Sequence, residues 1–400
     1  MNEIVVLNAK RTPIGKFLGQ FNSLTAFQLG SDIIKAVVEK EDMRKFNVDE
    51  VVIGNAIQAG VGQNPARIAA LNGGLPNKTK CMTVNKVCGS GMQAIISAVQ
   101  SIKSGDAEIV VAGGMESMSN APHLFRQGRE IKKYGNIKKR EIGEYEKDFE
   151  LTDSMIYDSL WCAFNSCHMG SLAEELRKKN KISREEQDSF SLKSHKKAIS
   201  AMEKDKFHKE IVPVKVGNKK ISTDEGPRKD TSIEKLSALK TVFYQDGTIT
   251  AGNSSQLSDG AAALALTSKE KAEKLGVAPL AVIESYASSS ADPKWYTLAP
   301  VDAVRELLKK TGNKIDDFDI IELNEAYALQ SLAVMKELGM DEEKVNVNGG
   351  AIALGHPIGC TGARILVTLI HALKNRRKDF GLATMCIGGG EAMAMSVRLW

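Results

Sequence analysis

The sequence predicts a layered α/β protein in which one unit is used twice. Three observations carry that reading. First, strand-like apolar runs alternate with helical patterns. Val51-Val52-Ile53 and Glu108-Ile109-Val110-Val111-Ala112 flank a segment where Met92, Ile95, Ile96, Val99 and Ile102 recur at helical spacing. Second, the order returns near the C-terminus. Ile365, Leu366, Leu369, Ile370 and Leu373 mark a helix face, and Leu382-Ala383-Thr384-Met385-Cys386-Ile387 follows as a strand. Third, the spacing agrees. Asn55 ends one apolar run and stands 33 positions before Cys88; Asn324 ends another and stands 32 positions before His356.

In chain order, Glu3-Ile4-Val5-Val6-Leu7 opens as a strand. Each paired helix is preceded by a glycine turn, Cys88-Gly89-Ser90-Gly91 in one half and Gly359-Cys360-Thr361-Gly362 in the other. Each paired strand runs into glycines, Gly113-Gly114 and Gly388-Gly389-Gly390. Residues 119–150 mix Lys132-Lys133 and Lys138-Lys139-Arg140 with Glu141, Glu144, Glu146, Asp148 and Glu150, which reads as an exposed excursion. Residues 183–206 read as a long polar helix, with Ser183 and Glu186 at capping-box spacing. Asp224 to Thr231, with Pro227, is a turn-rich connection. The expected division is 1–118 with 251–270 as one half, 119–250 as a loop domain lying over that half, and 271–400 as the second half.

Composition bounds the function. The chain has 400 residues, of which 42% are hydrophobic and 26% charged, so it can build a large core without disulfide or metal staples. A net charge of +5 is too small and too dispersed to argue for nucleic acid, and suits a small anionic ligand. No apolar run reaches the roughly 18 residues of a membrane span. The N-terminal residues lack signal-peptide features, and the expectation is a cytoplasmic protein. The six cysteines form no Cys-x-x-Cys pair, and no metal or organic cofactor is expected.

Several positions stand out chemically. Cys88 ends an elbow before a helix, where the helix dipole favours thiolate and flanking glycines let a carbonyl approach backbone N–H groups. The alternative is a buried cysteine at a tight turn. His356 lies between Gly355 and Pro357, off any helix face, which suits a general base. If the halves face each other, Cys88 and His356 meet as nucleophile and base. Cys386 near the end of a buried strand is either core or a site where a ligand nears the backbone. Asn324 is either a helix N-cap or a group that orients a water or a histidine.

Together these stretches resemble the thiolase family, over essentially the whole chain. The matching segments are Asn85-Lys86-Val87-Cys88-Gly89-Ser90-Gly91, Gly113-Gly114-Met115-Glu116-Ser117-Met118-Ser119, Ala251-Gly252-Asn253-Ser254-Ser255, Asn324-Glu325-Ala326-Tyr327, Gly355-His356-Pro357 and Cys386-Ile387-Gly388-Gly389-Gly390. Arg11-Thr12-Pro13-Ile14-Gly15 also fits. The resemblance implies two similar α/β halves, each with a mixed sheet between helices, plus an inserted loop domain. It implies acyl transfer between coenzyme A thioesters: acetyl-CoA, acetoacetyl-CoA and coenzyme A as substrates and products. Cys88 would carry the acetyl group and His356 would take its proton. Cys386 would be the second acid/base. Asn324 would hold a water that forms one oxyanion hole with His356, and the N–H groups of Cys88 and Gly388 would form the other. Ser255 and Arg228 would hold the pantetheine and nucleotide ends of coenzyme A. Cys167-His168-Met169-Gly170 is similar to the stretch in short-chain members, where His168 and Met169 would narrow the acyl pocket. The alternative is a broader-chain 3-ketoacyl-CoA thiolase. Decarboxylating synthases of this fold would replace Cys386, and a non-catalytic coenzyme A-binding subunit would not keep all four reactive residues. A homodimer or homotetramer is expected, although the long charged 126–150 segment departs from many relatives. Lys86-Val87 stands where other relatives carry Gln-Leu.

Overall fold

A computed structural model describes residues 3–39, 47–125 and 151–400. The charged excursion at 126–150 lies outside these.

The first half contributes strands β1 (Ile4–Arg11), β2 (Glu50–Gly54), β3 (Lys80–Val84), β4 (Ile109–Ser117) and β5 (Ser258–Ser268). The second contributes β6 (Ala281–Ser290), β7 (Ile320–Leu323), β8 (Phe380–Ile387) and β9 (Glu391–Leu399). Their pairings repeat. In the first half β1–β5 and β5–β4 are antiparallel, while β4–β2 and β2–β3 are parallel. In the second, β6–β9 and β9–β8 are antiparallel and β8–β7 is parallel. A single parallel bridge, Ile321 to Val345, stands where β3 would be matched. The duplication read from spacing is thus present in topology. The two sheets are not separate, however. Ile4, Val5 and Val6 of β1 pair antiparallel with Ile283, Val282 and Ala281 of β6, giving one continuous strand path.

Helices α1 (Ala26–Val38) and α2 (Pro65–Asn72) cover the outer face of the first half. Helices α3 (Ser90–Ser104) and α8 (Ile358–Arg376) pack against each other in the middle, and α6 (Ala299–Thr311) and α7 (Ala328–Leu338) cover the second half. The inner strands are buried on both faces, which explains their near-continuous apolar runs, whereas β3 at the sheet edge and the far end of β6 are partly exposed. On β4, Val110 and Ala112 join the central core, while Ile109 and Val111 join the core under α1 and α2. On β8, Ala383, Met385 and Ile387 face the centre and Leu382 faces outward.

The insertion includes α4 (Met169–Asn180) and α5 (Arg184–Glu203). The predicted capping box is present: Glu186 N–H donates to Ser183 Oγ at 3.1 Å, and Ser183 N–H donates to Glu186 Oε2 at 2.6 Å. The expected placement over the first half needs correction. Helix α5 packs on α7 and on Ala351–Leu354, and α4 also packs on α7, all in the second half. The first half holds the insertion through buried Arg11, which pairs with Glu210 at 2.5 Å and Asp224 at 2.7 Å. These ions are desolvated, so removing one partner would cost roughly 3–5 kcal/mol. Polar anchoring below and apolar packing above make the insertion a bridge between the halves.

Candidate active site

Cys88 and His356 occupy matching places. Each stands two residues before its central helix, α3 or α8. The helices start in close contact: a side-chain carbon on Gly91 would lie 2.8 Å from Ala363 N and 3.0 Å from Gly359 O. Only glycine permits that approach, which brings the two elbows together.

The Cys88 elbow is held under strain. Val87, a β-branched residue, has φ of +46°. Such a conformation costs on the order of 1–3 kcal/mol and persists only where neighbours fix it. Here Val87 N–H donates to Asn85 Oδ1 at 3.0 Å, and Lys86 N–H donates to Ser90 Oγ at 2.8 Å. Lys86 Nζ also pairs with Glu391 at 3.2 Å, tying the elbow to the start of β9 in the other half.

The Cys386–Gly388 turn lies against the Cys88 elbow, and the backbone N–H groups of Gly388 and of Cys88 itself oppose the upward push of burial on the Cys88 thiol. Cys386, buried at the end of β8, interacts electrostatically with Cys88, so the two thiols share one site. A side-chain carbon on Gly388 would lie 3.6 Å from Val87 Cγ1 and 3.7 Å from Met169 Cε, which brings Met169 to the same turn. His168 caps α4, accepting from Gly170 N–H on Nδ1 at 3.0 Å, and stacks on Phe243 at 4.8 Å between ring centres.

His356 is buried, and its Nδ1 lies 2.6 Å from Thr361 Oγ1. Thr361 donates its one hydroxyl proton to Pro357 O at 2.9 Å. Its oxygen can then only accept from Nδ1–H, which leaves Nε2 as the free basic nitrogen. Asn324 is fully buried, and its amide N and O have no hydrogen-bond partner among the described residues. The N-cap reading of Asn324 is excluded, because Tyr327 occupies that position for α7. An unpaired buried amide is costly, and it marks a group kept ready for a ligand or water.

Protonation differs from the sequence expectation. Burial pushes the Cys88 thiol up to about 11, with the two N–H donors opposing. Burial pushes Cys386 up further. Burial, then the nearby Arg364 charge, lowers His356 to about 3. The resting pair is a neutral thiol and a neutral imidazole rather than a thiolate favoured by the helix dipole. Desolvation of the sulfur outweighs the dipole.

The two residues that the resemblance assigns to coenzyme A fall into two places. Ser255 is half-buried, and its N–H donates to Ala326 O at 3.0 Å, beside the Asn324 turn. Arg228 is exposed, its N–H donating to His195 Nδ1 at 3.2 Å, on a cavity of about 270 Å³ that Lys235, Leu239 and Gly252 also line. A larger cavity of about 440 Å³ lies elsewhere, between Phe207 and Lys220, so size alone does not mark the chemistry. Sequence reasoning did not assign Thr361, Tyr327 or Tyr296. Thr361 and Tyr327 sit inside motifs already quoted. Burial pushes Tyr296 and then its neighbours Tyr327, Cys386 and Cys88 push it well above the usual tyrosine range, and its OH donates to Met169 O at 2.9 Å. Nothing in the sequence around Tyr296 signals that place.

The fold and this pairing of elbows define an acyl-transfer enzyme of a duplicated α/β class. The thiolase N-terminal domain family model matches residues 4–270 and the thiolase C-terminal domain model matches residues 277–399, so the chain belongs to the thiolase family and is an acyltransferase. The chain is 48% identical over 402 aligned residues to a probable acetyl-CoA acyltransferase of Staphylococcus aureus strain COL, covering 99% of each chain. It is 47% identical to the protein of the same description from strain N315, again over 99% of each. It also resembles the crystal structure of the Bacillus anthracis acetyl-CoA acetyltransferase, with a TM-score of 0.93 and 42% identity, over 100% of this chain and 99% of that one.

Proposed function

We propose that the protein is an acetyl-CoA C-acetyltransferase, joining two acetyl-CoA into acetoacetyl-CoA and coenzyme A, or running thiolysis in reverse. The single observation that carries this reading is the meeting of the elbows: the helix starts after Cys88 and His356 abut at Gly91 and Gly359, and the Cys386–Gly388 turn lies against Val87 and Gly89. Cys88 attacks the thioester carbonyl as its proton passes to His356 Nε2. The oxygen takes the negative charge against the N–H groups of Cys88 and Gly388. Coenzyme A leaves as a thiolate and takes up the proton of Cys386, so acetyl-Cys88 remains beside a Cys386 thiolate and a protonated His356. A second acetyl-CoA then binds. The Cys386 thiolate removes a proton from its methyl carbon, while the Nε2–H of protonated His356 and a water on Asn324 donate to the enolate oxygen. The carbanion attacks acetyl-Cys88, acetoacetyl-CoA forms, and the departing Cys88 sulfur takes the proton of His356, which restores both neutral thiols and the neutral imidazole. Neutral resting groups suit this scheme, because proton transfer accompanies attack rather than preceding it.

Met169 at the Gly388 turn supports a short acyl pocket. Thiolysis of acetoacetyl-CoA beside longer 3-ketoacyl-CoA substrates tests the reading. A steep fall in kcat/KM beyond four carbons is expected. A flat profile would instead make the protein a broader-chain 3-ketoacyl-CoA thiolase. The bound partners are coenzyme A thioesters, with no metal or organic cofactor in the scheme, and a homodimer or homotetramer in the cytoplasm is the proposed state.

A further inference from the structure

We propose that Glu116 is the positioning residue that sets His356 against Cys88, through the reach of its carboxylate across the two halves. The inference rests on the reading of Cys88 and His356 as a reacting pair. Glu116 belongs to the Gly113–Ser119 stretch, which the reaction scheme leaves without a role. It is fully buried near the end of β4. Oε1 accepts from Asn55 Nδ2 at 2.6 Å and from Ile57 N–H at 3.2 Å. Oε2 accepts from Ala56 N–H at 3.0 Å and from Gly359 N–H at 2.8 Å. Three of these donors follow β2 in the first half. The fourth is in the second half, in the first turn of α8, three residues after His356.

Every contact is a donor, which favours the carboxylate anion, while burial pushes the Glu116 carboxyl the other way, up to about 7. The charge also faces the positive end of α8. Around it, Gly359 has no room to move. A side-chain carbon there would lie 2.8 Å from both Glu116 Oε2 and Ala56 N, and one on Gly114 would collide with Gly359 O. The same turn of α8 abuts Gly91 of α3, just after Cys88. One carboxylate therefore fixes where α8 begins relative to the loop after β2. The start of α8 in turn fixes His356 relative to the Cys88 elbow.

Reach and charge can be separated. Glu116→Asp keeps the anion and shortens the side chain by one methylene, so it cannot span both halves. Glu116→Gln keeps the length, and its carbonyl can still accept from Ala56 and Gly359 while its amide meets Asn55, whose Oδ1 has no partner among the described residues and can turn toward it; the Ile57 N–H and the Asn55 bond to Met115 O are given up. Single-turnover acetylation of Cys88 by saturating acetyl-CoA is read by mass, KM is measured in parallel, and rates are expressed per folded molecule from thermal melts. Glu116→Asp is expected to slow acetylation about 10–100-fold, the scale of an ångström-sized misplacement, with KM within about twofold. Glu116→Gln is expected to lose less. Wild-type rates per folded molecule in both variants would overturn the proposal. So would a larger loss in Glu116→Gln, which would make charge the relevant property. A wild-type enzyme that takes no acetyl on Cys88 would overturn the functional reading, and this proposal with it.

Discussion

Asn55 and Asn324 end corresponding strands in the two halves, β2 and β7, and are both fully buried. Asn55 has its amide nitrogen engaged by Glu116 and Met115 O. Asn324 has neither amide atom engaged by protein among the described residues. The same residue at the same place is a strut in one half and an open polar group in the other. A duplicated scaffold supplies two equivalent elbows, and divergence lets one hold a thiol, Cys88, and the other an imidazole, His356. The elbows differ in backbone, with φ of +46° at Val87 and +109° at Gly355, and in which polar groups are already satisfied.

The sharpest way to break this division is to remove each thiol. Cys88→Ala should abolish both acyl-enzyme formation and turnover. Cys386→Ser should lower the carbon–carbon step by at least about 10²–10⁴-fold, the usual worth of general acid–base catalysis, yet still take acetyl on Cys88. Mass spectrometry after incubation with acetyl-CoA separates the two. Acetyl found on Cys386 in Cys88→Ala would show that the elbow has no special role.

The asparagines give the next largest contrast. Asn324→Ala should cut kcat about 10²–10³-fold, as loss of an oxyanion donor does, with little loss of stability. Asn55→Ala should do the reverse. It leaves a buried carboxylate short of a donor, at about 1–3 kcal/mol in denaturant unfolding, with a smaller effect on kcat. Equal effects from both would mean that the halves have not diverged as described.

Protonation offers a third test. Cys88 folded titrates near 11 against about 8.5 for a free thiol, so its contribution to stability is full below about 8.5 and is lost as pH rises through 11. His356 folded titrates near 3 against about 6.5, so its contribution is full above about 6.5 and is lost as pH falls toward 3. Melting temperature should therefore fall on both sides of a plateau between those limits. Cys88→Ala should flatten the alkaline side, and His356→Asn the acid side, each in part. Unchanged slopes would place the two groups in wetter surroundings.

The smallest effect is expected at the rim. Arg228→Ala should raise KM for the thioester and leave kcat nearly unchanged, because a contact at the nucleotide end is the same in ground and transition states. A fall in kcat at constant KM would move Arg228 into the reacting region.

Much of this was legible in the sequence, for identifiable reasons. Strand and helix periodicity is local, so Ile109–Ala112 and the Met92–Ile102 face could be read directly. The elbows were legible because glycine and proline flank Cys88 and His356. The resting charge state was not, because it depends on how deeply each group is enclosed, which no motif records. The insertion was misplaced for a similar reason: α5 has a polar composition, and only tertiary packing shows that it lies on α7 and Ala351–Leu354. Tyr296 reaches the site from a segment with no pattern at all.

The joint between β1 and β6 bears on how the protein comes apart. Residues of both halves, among them Val99, Val110, Leu366 and Met385, share one core around α3 and α8. Neither half can open on that face without stripping the other. Despite its repeated architecture, the described scaffold should melt as one cooperative block rather than half by half, with hydrogen exchange at α3 and α8 slowing in step. Either half made alone would expose the central apolar face and the free edge of β1 or β6, and would be expected to aggregate rather than fold.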